Sequence, residues 1–224
     1  PRALRSDEIP RLIKEYRAAA RNAIAAGFDG VEVHGANGYL LDQFLRSSTN
    51  LRTDAYGGSL ANRARLMLEV TEAVCGVWGG DRTGIRLSPE NSFNDIRDDD
   101  PKATFEYVAT ELNRFGLAYL HVLEGEVGVT SAANAGFDYA ALRACFKGVY
   151  MANNGYDFDL ANKVLDANAA DLIAFGKPFI SNPDLVARIA SGAEWAPNLG
   201  GMAHWYSPGP VGYTDYPALA CAGA

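Results

Sequence analysis

Cysteine and long apolar runs are scarce in this sequence, and both shortages exclude classes of protein. Its 224 residues include three cysteines, Cys75, Cys145 and Cys221, which are too few and too scattered for a disulfide framework or a structural zinc site. This scarcity fits a reducing, cytoplasmic environment best. No uncharged apolar run reaches the roughly 18 residues that a membrane span needs. The first residues also lack the apolar core of a signal peptide.

Positive charge is outweighed, with 20 Lys and Arg against 27 Asp and Glu and a net charge of −7. This balance predicts that neither nucleic acid nor an anionic membrane surface is the main partner. A composition of 48% hydrophobic and 21% charged residues is that of an ordinary globular protein. The length suits one domain and lies at the low end for an eight-unit β/α barrel. Because the chain opens on Pro1 instead of Met, we expect processing or a longer parent protein.

Helical and strand patterns alternate along the whole chain, with no linker that divides it into two domains. Apolar residues recur at helical spacing after Ser6, after Ser59 and after the Asp100-Pro101 pair, which is typical of a helix start. We interpret the polar, glycine-rich stretch 35–58 as a long excursion between elements. Apolar segments predict a single α/β domain with a parallel sheet covered on both faces. The predicted strands are residues 30–34, 84–88, 118–123, 148–152 and 171–175.

Polar or glycine-rich residues follow every predicted strand, and functional groups of parallel α/β folds lie at these C-terminal ends. The densest cluster is His34, Asn37 and Tyr39. A His and an Asn three residues apart could both donate hydrogen bonds to one carbonyl or nitro oxygen, and Tyr39 could donate a proton. The spacing equally allows His34 to cap the strand and Tyr39 to pack against it.

Two glycine-containing loops after the last two strands have the character of phosphate-binding loops. Backbone N–H groups beside Gly155 and Gly176 could approach an anion closely, and Lys177 would add a positive charge. Phosphate sites of this kind follow the seventh and eighth strands of many TIM barrels. The alternative interpretation is a pair of ordinary turn glycines and a surface lysine.

Several motifs resemble those of the Old Yellow Enzyme family of flavin-dependent ene reductases. The resemblance begins with GVEVHGANGYLLDQFL at residues 30–45 and NLRTDAYGGS at 50–59, followed by NRAR at 62–65. It continues with RLSP at 86–89, FGKPFISNPDL at 175–185 and GYTDYP at 212–217. Many family members carry Arg where Lys177 stands, and Lys keeps the charge without the bidentate fork.

The resemblance implies an α/β TIM (β/α)8 barrel that binds FMN, with NADPH or NADH as the reducing co-substrate. The flavin would then transfer hydride to the β-carbon of an electron-poor alkene such as an enone, a maleimide or a nitroalkene. By this resemblance His34 and Asn37 would hold the substrate oxygen, and Tyr39 would protonate the α-carbon. Arg86 would lie beside the flavin ring. The phosphate of FMN would be held by Asn153, Asn154, Gly155, Gly176 and Lys177.

The same resemblance predicts that this chain holds only part of the barrel. In the family the His34 motif follows the fourth strand, so residues 1–224 would supply strands four to eight as the C-terminal part of one flavoprotein domain. Strands one to three would be absent from this chain. Five strands cannot close a barrel, so we expect a complementary N-terminal segment or chain to complete it. A catalytically inert half-barrel that binds no flavin is the alternative.

A metal-dependent hydrolase is a further alternative from a different class of enzyme. Glu32, His34 and His121 could converge on a metal ion in principle. The sequence has no His-x-His pair, however, and Glu32 is expected to point away from its strand neighbours, so we expect no metal. Lys177 as a Schiff-base lysine is equally disfavoured, because it follows a phosphate-type glycine instead of lying inside an apolar strand.

Overall fold

A computed structural model describes residues 2–126, 136–198 and 201–219, apart from the side chains of residues 202 and 203. Cys221 lies outside the described residues. Within them, a five-stranded parallel sheet has its strands in chain order, β1-β2-β3-β4-β5. The five strands are close to those predicted from the sequence, with boundaries that differ by one or two residues. They are β1 Val31–His34, β2 Thr83–Leu87, β3 Tyr119–Leu123, β4 Tyr150–Asn153 and β5 Leu172–Ala174.

Helices occupy the connections between the strands, as the alternating pattern predicts. Those up to β3 are α1 (Ile9–Ala25), α2 (Leu40–Leu45), α3 (Leu60–Trp78) and α4 (Pro101–Leu112). The later helices are α5 (Tyr139–Cys145), α6 (Phe158–Asp166), α7 (Lys177–Ser181), α8 (Leu185–Ser191) and α9 (Gly201–Trp205). Short 3-10 turns lie at Ser6–Glu8, Gly80–Arg82 and Asn113–Phe115.

Capping side chains set the starts of the helices where the sequence predicts them. The Ser59 hydroxyl accepts a hydrogen bond from the backbone N–H of Asn62 at α3, and Asp100 accepts one from Ala103 at α4. Each bond satisfies one of the free N–H groups of a first helical turn. Two details differ from the prediction. Residue Ser6 begins a 3-10 turn before α1, and the 35–58 excursion contains the short helix α2.

The side of the sheet that faces the helices is the outer face. Its side chains are apolar and mostly inaccessible to solvent, and they share one core with residues of α1, α3 and α4. Burial of this surface is the main source of fold stability in such a layer. The outer face consists of Val31, Val33, Thr83, Ile85, Leu87, Leu120, Val122, Tyr150, Ala152 and Ile173.

The opposite side of the sheet, the inner face, differs from the expectation of nearly continuous apolar strands in a sheet covered on both faces. Side chains alternate between the faces along a strand, and the burial pattern of β1 alternates accordingly. Several inner-face side chains are polar, and Leu172 at the edge is 43% exposed. The inner face consists of Glu32, His34, Gly84, Arg86, Tyr119, His121, Leu123, Met151, Asn153, Leu172 and Ala174.

No helix in the described part of the chain is both long and apolar enough to cross a membrane.

Candidate active site at the C-terminal edge of the sheet

A row of inner-face side chains crosses the sheet, starting at the C-terminal end of β1. His34 of β1 is in register with Arg86 of β2, and Arg86 is in register with His121 of β3. The next residue in the row is Met151 of β4. Registered residues of parallel neighbours lie on the same face, so the structure brings two histidines and an arginine into one row.

His34 and Tyr39 are brought together by the turn that follows β1. Their ring centroids are 5.3 Å apart at an interplanar angle of 48°, and Tyr39 also contacts the ring of Phe93 at 6.5 Å. Tyr39 remains 49% exposed, so the packing role leaves its hydroxyl accessible to a ligand. Partial burial and the nearby charge of Arg86 lower the pKa of His34, which favours a neutral imidazole near neutral pH.

The turn that carries Asn37 has an unusual backbone that buried polar groups hold in place. Asn37 and Gly38 have positive φ angles of 57° and 70°, and a Cβ on Gly38 would lie 2.4 Å from the carbonyl oxygen of Phe93. Glycine is therefore required there. The backbone N–H of Asn37 donates to Ser88 Oγ at 2.8 Å. The N–H of Gly38 donates to Asp42 Oδ2 at 3.0 Å.

A buried ion pair anchors this turn to the loop after β2. Asp42 and Arg46 are both almost fully buried, and Arg46 Nε donates to Asp42 Oδ1 at 2.8 Å. Arg46 also donates to the backbone carbonyls of Ser88 and of Pro89. Removing one partner from such a pair would leave a buried charge without compensation. The pair therefore ties the turn after β1 to the RLSP segment.

Arg86 is hydrogen-bonded to one other predicted cofactor-binding residue, Asn153. Its Nη2 donates to Asn153 Oδ1 at 2.9 Å, and Asn153 Nδ2 donates to the backbone carbonyl of Ala174 at 2.8 Å. The Nε of Arg86 is buried and has no hydrogen-bond partner among the described residues. A buried N–H group of a charged side chain without a partner is costly in a folded protein, so this atom is suited to a ligand.

The two predicted phosphate loops lie at the ends of adjacent strands. Asn153 of β4 is in register with Ala174 of β5, which places the start of the Asn153–Gly155 loop beside the start of the Gly176-Lys177 loop. Asn154 and Gly155 have φ angles of 107° and 72°. Asn154 Nδ2 donates to the backbone carbonyls of Glu124 and Glu126, at 2.8 and 2.9 Å.

Gly176 directly precedes α7, and Lys177 is the first residue of that helix. A Cβ on Gly176 would meet no described atom within 4 Å, so the space in front of it is open. Lys177 is exposed. Both interpretations of this loop, a phosphate site and an ordinary turn, are compatible with these observations.

Sequence reasoning noted Glu124 among the strand-end residues but assigned no role to this buried carboxyl group behind the first of these loops. Glu124, at the end of β3, is 4% exposed. Its two oxygens accept hydrogen bonds from Tyr150 Oη at 2.9 Å and Tyr156 Oη at 2.6 Å. Burial raises the pKa of Glu124, although the two tyrosine hydroxyls oppose the shift. No local pattern identifies this contact, because the partners lie 26 and 32 residues away.

Two of the three residues of the metal alternative, Glu32 and His121, form a pair on the inner face. His121 Nδ1 lies 2.9 Å from Glu32 Oε2, and His34 lies on the same face two residues beyond Glu32. Burial would raise the pKa of Glu32, but His121, Tyr119 and Arg86 together lower it. Among the described residues no group of three His, Cys, Asp or Glu side chains is arranged to hold a metal ion.

Comparison with protein families matches residues 1–195 to the NADH:flavin oxidoreductase / NADH oxidase family. A probable flavin mononucleotide-dependent alkene reductase from Leishmania infantum is 46% identical over 219 residues, which are 98% of this chain and 58% of the relative. The chain therefore spans less than two thirds of the length of such relatives.

Solved structures of similar proteins have the same fold. Morphinone reductase in complex with tetrahydroNAD has a TM-score of 0.91 and 46% identity, covering 100% of this chain and 60% of the other. An Old Yellow Enzyme homologue from Zymomonas mobilis has a TM-score of 0.88 and 42% identity, covering 96% and 61%. The predicted resemblance to the Old Yellow Enzyme family is confirmed, and the five parallel strands with their helices form the C-terminal part of a (β/α)8 barrel.

Proposed function

Because the chain belongs to the NADH:flavin oxidoreductase / NADH oxidase family, we propose that it supplies the FMN-binding and substrate-binding part of an ene reductase. The observation that carries the proposal is the position of Arg86. It lies in the inner-face row beside His34, is hydrogen-bonded to Asn153 and has a buried Nε without a described partner. A cationic N–H donor in this place suits the electron-rich ring of a reduced flavin.

The polar groups at the C-terminal edge of the sheet fit FMN. Arg86 would contact the flavin ring, and Asn153 would hold the guanidinium in place through their 2.9 Å hydrogen bond. We propose that the phosphate lies between the two loops after β4 and β5. Backbone N–H groups and one lysine charge would bind it there. The groups proposed for the phosphate are Asn153, Asn154, Gly155, Gly176 and Lys177.

When bound, FMN would supply hydride chemistry, taking hydride from NADPH or NADH and passing it to the β-carbon of an enone, maleimide or nitroalkene. His34 and Asn37 would bind the carbonyl or nitro oxygen of that alkene. A neutral His34, favoured by its lowered pKa, would donate one hydrogen bond to the oxygen and draw electron density from the β-carbon. Tyr39, whose ring is tilted against that of His34 and whose side chain is 49% exposed, would donate a proton to the α-carbon.

We further propose that other strands complete the barrel in the working protein. Several inner-face side chains are polar, Glu32 and His34 are exposed, and β1 and β5 are each paired on one side only among the described strands. Open edges and an open barrel interior are normally covered. The same openness supports the second candidate, a half-barrel that binds no flavin. A cytoplasmic location, based on the scarcity of cysteine, also remains a proposal.

An absorbance spectrum of the purified protein distinguishes the two candidates. The ene reductase should show an absorbance band at about 450 nm, where oxidised flavins absorb. Under anaerobic conditions NADPH or NADH should bleach the band, and 2-cyclohexenone should restore it. A preparation that shows no band after incubation with FMN would support the inert half-barrel. A band that the enone does not restore would contradict alkene reduction.

A further inference from the structure

We propose that Asn91 is a positioning residue that fixes which end of the Asn37 side-chain amide faces the ligand. In this arrangement Asn37 presents its NH2 group and therefore selects ligands that carry an acceptor oxygen. The inference rests on the proposed function in one respect, namely that Asn37 contacts the ligand. No local motif points to Asn91, which lies in the loop after β2.

A chain of hydrogen bonds determines the direction of both amides. The backbone N–H of Phe93 can only donate, and it donates to Asn91 Oδ1 at 3.3 Å. Asn91 must therefore direct its NH2 group elsewhere, and Nδ2 donates to Asn37 Oδ1 at 3.2 Å. Because Asn37 Oδ1 already accepts this bond, the free end of the Asn37 amide is its NH2 group. No described residue accepts a hydrogen bond from Asn37 Nδ2. The hydrogen-bond network assigns the amide orientation.

The surroundings make the opposite orientation unfavourable. Asn91 is 1% exposed, so its NH2 group has no water to replace a lost partner. If the Asn37 amide rotated by half a turn, two NH2 groups would face each other and a buried donor would lose its acceptor. The Asn37 backbone is also held, because its N–H donates to Ser88 Oγ and its carbonyl accepts from Asn94 Nδ2 at 3.0 Å.

The consequence is specificity for the chemistry of the bound atom. A carbonyl, nitro or phenolate oxygen accepts the hydrogen bond that Asn37 Nδ2 offers, whereas an amine in the same place would face another donor. His34 adds a second donor when its imidazole is neutral and protonated on the ring nitrogen that faces the ligand. A site built from two donors binds oxygen acceptors and rejects amines of the same shape.

Asn91→Asp reverses the expected direction of the amide. The Phe93 N–H can still donate to one carboxylate oxygen, but the other oxygen is an acceptor and should attract Asn37 Nδ2. Asn37 Oδ1 would then face the ligand. We would titrate the flavin-loaded protein by calorimetry with 4-cyanophenolate and with 4-cyanoaniline, which differ only in O⁻ against NH2. The ratio of the two dissociation constants should shift toward the aniline by about 30-fold or more.

Ser92→Asp is the matched control, because it adds the same charge to the same loop at an exposed residue. The hydrogen bonds of Ser92 go to Glu126 and not to Asn37. The ratio should shift about tenfold less than in Asn91→Asp. Asn91→Ala, which frees the amide to adopt either orientation, should shift it by about threefold. Equal shifts in Asn91→Asp and Ser92→Asp would overturn the proposal.

A ligand-free measurement keeps this proposal separate from the proposed function. In protein labelled with 15N-asparagine, the side-chain NH2 protons of Asn37 should exchange with solvent at least about tenfold faster than those of Asn91. Protected Asn37 NH2 protons would overturn the amide assignment. If the exchange rates agree with the assignment and neither aromatic compound binds the loaded protein, then the role of Asn37 as a ligand contact, and not its orientation, is wrong.

Discussion

The two faces of the sheet contrast most sharply at Arg86 and Leu87, which are neighbours in β2. Leu87 is completely buried among outer-face residues and helix side chains, whereas Arg86 lies on the inner face beside His34 and hydrogen-bonds Asn153. Because successive side chains of a strand point to opposite faces, one residue packs in the core and its neighbour lies in the candidate site. We therefore expect substitutions on the outer face to cost more unfolding free energy than substitutions on the inner face.

The largest effect is expected from Tyr39→Phe, in the turn beyond the inner face. Removing the proton donor that we propose should slow enone turnover by about 10²- to 10⁴-fold, while flavin reduction by the nicotinamide stays within about twofold. Stopped-flow absorbance separates the two half-reactions. Nitro compounds that are reduced at the nitro group should suffer less than enones. An equal loss on both substrate classes would contradict the assignment of Tyr39 as proton donor.

Leu87→Ala tests the outer face and should cost about 2–5 kcal/mol of unfolding free energy, because it leaves a cavity in a closely packed core. Urea unfolding measures the loss. Met151→Ala on the inner face is the matched control. Its side chain is only partly buried, so the cost should be about 1 kcal/mol. Similar losses in the two variants would show that the faces do not differ in this way.

His34→Ala should weaken binding of 4-cyanophenolate to the loaded protein by about tenfold, since one hydrogen bond to a charged oxygen is lost. The unfolding free energy should change by less than about 1 kcal/mol. Calorimetry measures the binding. His34→Gln, which keeps a donor, should recover part of the affinity. An unchanged affinity in His34→Ala would argue against its contact with the ligand oxygen.

The smallest effect is expected for the inner-face pair of Glu32 and His121. The surroundings lower the pKa of Glu32 below its ordinary value, so the ionised form stabilises the fold above that value. This contribution is lost as the pH falls through the lowered pKa. The unfolding free energy of the wild type should exceed that of Glu32→Gln by about 0.5 kcal/mol near pH 6. The two values should be equal near pH 2. A difference that grows with acidity would contradict the pairing.

Local sequence patterns predict much of the fold and part of the site. Periodicity and caps identify the strands and the starts of α3 and α4, because Ser59 and Asp100 act within one helical turn. Position near the C-terminal end of a strand identifies His34 and Arg86. Local patterns do not predict contacts between residues that are far apart in the sequence. Asn91 is 54 residues from Asn37, and Glu32 is 89 residues from His121.

Short elements and face assignment were harder to predict for physical reasons. The helix α2 has six residues and α7 has five, too few for a helical period to show. Both begin inside polar or glycine-rich stretches that are typical of loops. The apolar character of most strands also concealed the inner face, because one or two polar residues per strand are enough to line a site.

The most direct test of the contrast compares Arg86→Gln with Leu87→Ala in thermal unfolding with and without excess FMN. A ligand that binds only the folded state raises its stability by an amount that depends on its affinity. The account predicts that FMN raises the midpoint of wild type and of Leu87→Ala by similar amounts. The rise in Arg86→Gln should be much smaller, although this variant without FMN unfolds close to wild type. A full FMN-induced rise in Arg86→Gln, or none in wild type, would contradict the account.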